Sequence, residues 1–159
     1  CEENRDFARD FRLRVIGRVS SEAIDRLRAE LPEPNLILQS YIPYKELAPL
    51  KYMDQLMLVT VDTVPYNELI IPAKVFDILP TGNPILAIGP TAGDTARLLN
   101  DTGVGKAFDY EDANGMRNFI LEKYVAWKSG VLGQGARRLP EYEREALTAR
   151  LASIFDGLQ

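Results

Sequence analysis

Histidine is absent from the 159 residues, and cysteine occurs once, at Cys1. Without histidine the chain cannot build a Ser-His-Asp triad, a Cys-His pair or an imidazole-ligated metal site. A single thiol excludes an internal disulfide framework and a zinc cluster of thiolates. Cys1 has no histidine to activate it and is not read as a nucleophile. Positive charge is in deficit: 19 Lys and Arg against 23 Asp and Glu leave a net charge of −4. That opposes a phosphate-backbone footprint, so nucleic acid is not an expected partner. No apolar run approaches the roughly 20 residues of a membrane span, and no basic segment leads into a signal-peptide core. The expectation is a cytoplasmic domain. Hydrophobic residues at 46% and charged residues at 26% are an ordinary globular mixture, long enough for one core. The chain opens on Cys-Glu-Glu-Asn without an initiator methionine, and it is expected to be a fragment of a longer protein.

Strands and helices alternate. Residues 12–16 alternate polar and apolar before Gly17, which reads as a strand and turn. Ser20 or Ser21 caps a helix to about Leu31, where Pro32 and Pro34 stop it. Leu36–Leu38 is a short strand, Tyr41–Tyr44 a turn, and a short helix carries Leu47 and Leu50. Residues 56–61 form a continuous apolar run, which suits a parallel strand covered on both faces. A helix is predicted from Pro72 to Leu79, with proline at its first position. A strand follows at Ile85–Ile88, and a helix with a Thr91–Asp94 capping pattern. Gly103–Phe108 is the last strand. Met116, Phe119, Ile120, Tyr124 and Trp127 form one apolar helical stripe, in which Tyr124 and Trp127 are expected to pack in the core. Leu147, Leu151, Ile154, Phe155 and Leu158 form another. The pattern is that of βα units around a parallel sheet of about five strands, a Rossmann-like three-layer sandwich in one domain, 1–159. Ligands of such sheets bind at the carboxyl ends of the strands.

Residues 67–84 are the strongest candidate for chemistry. They lead from a buried strand into a helix, whose amino terminus favours an anion. Lys74 stands in that first turn, where a cation opposes the helix dipole unless an anion sits beside it. Asp77, one turn on, can accept hydrogen bonds from a ribose diol; the plain alternative is a surface aspartate paired with Lys74. The stretch with Gly130, Gly133, Gly135, Arg137 and Arg138 lacks dinucleotide spacing and reads as a loop.

The run from Pro72 through Lys74 and Asp77 to Thr81-Gly82-Asn83-Pro84 and the strand Ile85–Ile88 resembles the nucleotide-binding signature of retaining glycosyltransferases of the GT-B fold, family 4. Gly93–Ala96, Thr102–Gly105, Tyr124–Lys128 and Tyr142–Thr148 resemble the elements that follow in that family, and Tyr41–Leu47 its loop after the third strand. The likeness covers residues 11–158. It implies the C-terminal, donor-binding half of an enzyme that moves a sugar from a nucleotide-sugar to a glycan or lipid-linked acceptor with retention. The acceptor-binding N-terminal domain would be a partner from the same protein. The nucleotide-sugar would be a substrate, with no metal or other cofactor. Membrane contact would come only through the missing part, at the inner face, and the fragment alone would be inactive.

By the same resemblance Asp77 would hold the ribose, Ile71, Pro72, Ala73 and Lys74 would meet the diphosphate, and Tyr41 and Ile42 would lie near the base. Glu68 would be the catalytic acidic residue and Arg18 a further phosphate ligand. The chain departs from the family pattern in three places. Asp77 replaces glutamate; Leu69 stands eight residues before it, with Glu68 adjacent; and the segment ending in Gly17 aligns with the second strand of the domain, so that the first is missing. The sheet is then expected to close, with strand 12–16 beside strand 56–61 and the order 36, 12, 56, 85, 105 by first residue. Two other readings stay open, a non-catalytic flavodoxin-like module and half of a nucleotide-sugar epimerase.

Overall fold

Alternating apolar and basic residues do make a strand at β1 (Leu13–Ile16) in the computed structural model, which describes residues 5–132, 139–142 and 144–158. Cys1 and the Gly133–Arg138 part of the glycine-rich stretch lie outside the described residues. The chain divides into two compact units, Cys1–Leu50 and Lys51–Gln159.

In the first unit α1 (Arg5–Asp10) precedes β1, and α2 (Ser21–Glu30) joins it to β2 (Leu36–Gln39). Ser20 is the cap of α2, its side chain accepting from Ala23 N. The strands pair in parallel, Leu13 opposite Leu36 and Ile16 opposite Gln39. Helix α1 has no counterpart in the sequence reading. It is held by a local stack of Phe7 on Phe11 at 5.1 Å and by a contact made at a distance, Asn35 Nδ2 donating to the carbonyls of Ala8 and Phe11, both at 2.7 Å.

Helix α3 (Tyr44–Met53) spans the boundary between the units. The second unit then builds a three-stranded parallel sheet in the order β3 (Met57–Thr60), β4 (Ile85–Ile88), β5 (Gly105–Phe108). Its helices are α4 (Lys74–Ile78), α5 (Asp94–Thr102), α6 (Ala113–Lys128) and α7 (Arg144–Asp156). Val59, Val75, Ile78, Leu79, Ile85 and Leu99 centre the core, with Leu139 and Tyr142 packed against it. Gly103, at φ 64°, ends α5 in the left-handed conformation that glycine adopts without a Cβ clash.

The chain is thus α/β with parallel strands, compatible with a Rossmann-like arrangement, but the five strands among the described residues form sheets of two and three. The single sheet with β1 beside β3 is not formed. A strand's own pattern says which faces it can bury, not which distant strand it will pair with. Burial on both faces runs along most of the central strand β4 and is shared only by Ala107 and Phe108 at the end of β5. In β3 Val59 is fully buried, whereas Leu58 is 49% exposed and Thr60 is exposed, as befits an edge strand. Helix α4 begins at Lys74 rather than Pro72, and the cap of α5 is Gly93, with no side-chain bond from Thr91. Tyr124 is half-buried but Trp127 is 40% exposed, so the stripe of α6 only grazes the core. The apolar stripe of α7 is exposed throughout.

Candidate functional site

The loop from Val61 to Ala73 leaves the carboxyl end of β3 and delivers the chain to α4. It is tied down at four points. Tyr110, beyond β5, donates from its hydroxyl to Val61 O at 2.9 Å, and that hydroxyl accepts from Asn67 Nδ2 at 3.0 Å. Asn67 Nδ2 also donates to Asp62 O at 3.2 Å. Thr95, buried in the first turn of α5, donates to Ile70 O at 2.7 Å. Gly93 lies under the Glu68 backbone so closely that a Cβ there would stand 2.8 Å from Glu68 O. Within this frame Tyr66 adopts φ 61°, a left-handed conformation unusual for a side-chain-bearing residue, and starts the 3₁₀ turn Asn67–Leu69.

Glu68, Ala73, Lys74 and Asp77 are exposed, while Ile71 and Pro72 are half-buried, Ile71 against the core. Lys74 and Asp77, three residues apart on α4, are near neighbours by helix geometry. The alternative ion pair between them is not formed. Among the described residues neither side chain has a hydrogen-bond or salt-bridge partner. One turn of helix therefore presents an unneutralised cation and an unneutralised carboxylate to solvent. A phosphate can be attracted by the first, and a pair of hydroxyls can donate to the second. With only five residues α4 adds little dipole of its own, so the charge of Lys74 dominates any anion attraction.

Arg18, Tyr41 and Ile42 belong to the first unit. Arg18 follows β1 and Tyr41 follows β2, so both loops leave the carboxyl end of the two-stranded sheet, joined by Gly17 N donating to Gln39 O at 3.0 Å. Arg18 and Tyr41 are exposed and Ile42 is half-buried. An open recess of the same unit, lined by Arg28, Leu31, Glu33 and Leu36, starts at the opposite, amino end of β2.

The part that Asn67, Gly93, Thr95 and Tyr110 play in holding the loop escaped the sequence reading, although the first three lie in stretches it singled out. Tyr110 and Val61 are 49 positions apart, and no local pattern announces a hydroxyl that will meet a carbonyl at that distance. Among the described residues no group of three or more Asp, Glu or Cys side chains is placed to hold a metal ion. No described helix is long and apolar enough to cross a membrane. Compared with known proteins, the chain matches no family model, no curated protein and no solved structure.

Proposed function

We propose that this chain is the nucleotide-sugar donor-binding half of a retaining glycosyltransferase of the GT-B type. The observation that carries the reading is the exposed, unpartnered pair Lys74 and Asp77 on α4, at the end of a pinned loop that leaves the carboxyl edge of a parallel sheet. The ordered motif from Pro72 to Ile88 supports it from the sequence side. In this reading Asp77 accepts from the ribose diol. Lys74 and the backbone amides of Ile71–Lys74 meet the diphosphate and stabilise it as it departs. Glu68 faces the sugar. An N-terminal domain of the same protein binds the acceptor, and the work takes place in the cytoplasm or at the inner face of the membrane.

The test is calorimetric titration of the complete protein with UDP, GDP and ADP, followed by the same titration of Asp77→Ala. The expected loss for the nucleotide that binds is about 1–3 kcal/mol, the usual range for a hydrogen bond to a charged group. Unchanged affinity overturns the assignment of Asp77. No binding of any of the three overturns the reading itself.

A further inference from the structure

Lys51, Thr81, Asn83, Thr95 and Thr102 are the buried polar or charged residues among those described, and three of them meet at one place. Lys51, in the last turn of α3, is 8% exposed and donates from Nζ to Asp77 O at 3.3 Å. Thr81 Oγ1 donates to the next carbonyl, Ile78 O, at 2.7 Å and accepts from Asn83 N at 3.2 Å. Asn83 Nδ2 returns to Lys51 O at 2.9 Å. Gly82, at φ 71°, makes the left-handed turn that brings Asn83 back. The result is a closed polar ring around the carboxyl end of α4.

Such a ring asks for a reason. Drawing a lysine into a part-buried bond costs part of the hydration of its ammonium, and an apolar side chain of similar size would fill the space without that cost. A five-residue helix with no side-chain cap, on the other hand, is not stable by itself and takes its orientation from what holds it. A cation at its carboxyl end is matched to the free carbonyls and to the helix dipole. We infer that Lys51, with Thr81 and Asn83, is a positioning residue: it fixes the orientation of α4, and with it the place of the Asp77 carboxylate. The inference rests on the nucleotide reading of α4 given above.

Ribose selectivity tests it. The complete protein is titrated with whichever of UDP, GDP and ADP the wild type binds, and with the 2′,3′-dideoxy form of that nucleotide. The wild type prefers the ribose form, and Asp77→Ala abolishes the preference. Lys51→Met is expected to cut the preference by about tenfold, equivalent to about 1.4 kcal/mol. Lys51→Arg is expected to keep most of it, and Lys51→Met adds no further loss in the Asp77→Ala background. Thr81→Val, which removes one member of the ring at nearly constant shape, gives a second measurement should Lys51→Met not fold. A less heat-stable Lys51→Met or Thr81→Val protein that keeps the full preference overturns the inference, because the ring is then structural only. A wild type that binds nucleotide without ribose preference, or an Asp77→Ala variant that retains it, overturns the role of Asp77 instead, and the inference falls with it.

Discussion

Lys74 and Asp77 stand three residues apart, yet each would act on a different part of a nucleotide, and that difference is measurable. If the partner of Lys74 is phosphate, Lys74→Ala lowers affinity for a nucleoside diphosphate by roughly tenfold and leaves the bare nucleoside nearly unchanged, because only the diphosphate has charge for the ammonium to meet. Calorimetry with UDP against uridine, or the matching pair for another base, reads the contrast. Equal losses for both ligands rule the role out. Both residues were legible in the sequence, since a cation in a first turn and a carboxylate one turn later are local facts. Their lack of mutual pairing was not. An exposed ion pair gains so little over solvation and side-chain entropy that its formation does not follow from spacing.

At the scale of elements, the loop between β3 and α4 depends on α5. The cap of α5 is Gly93 because the Glu68 backbone crosses it; Thr91 and Asp94 have the residue types of a capping box but not its bond. Gly93→Ala therefore forces either the loop or the start of α5 to move, since the clash is with backbone and not with a flexible side chain. The expected cost is about 1–3 kcal/mol, the usual range for overpacking, measured by denaturant unfolding. It should come with weaker nucleotide binding, because the displaced segment carries Glu68 and runs directly into Ile71–Lys74. A Gly93→Ala protein as stable as the wild type would contradict this account of the cap.

At the scale of the molecule, the two units differ in how much core each builds. The first has a two-stranded sheet, Leu36 as its single buried apolar side chain among the described residues, and a helix α2 with none buried. The second has a three-stranded sheet and a contiguous buried cluster that includes Val59, Val75, Ile85 and Leu99, contributed by its three strands and by α4 and α5. Two-stranded sheets are marginal by themselves. Backbone amides of β4 are accordingly expected to exchange with deuterium far more slowly than those of β1 and β2, by about two orders of magnitude or more. Equal protection in the two sheets would show that the first unit draws stability from contacts beyond its own.

The alternation of basic and apolar residues in β1, the apolar run of β4, Ser20 before α2 and Gly103 after α5 each act within a few residues of themselves. Sequence alone therefore determined that this chain is α/β with parallel strands, and roughly where its elements lie. It also supplied Lys74 and Asp77 on one short helix. Tertiary structure decided the rest, because those outcomes depend on which distant groups meet. β1 paired with β2 and β3 with β4, leaving two sheets where one was expected. Tyr110 came to Val61 and Asn67, Gly93 came under Glu68, and Lys51 came to the end of α4. A buried carbonyl or amide takes whatever partner packing delivers, and a strand edge takes whatever strand the connections allow.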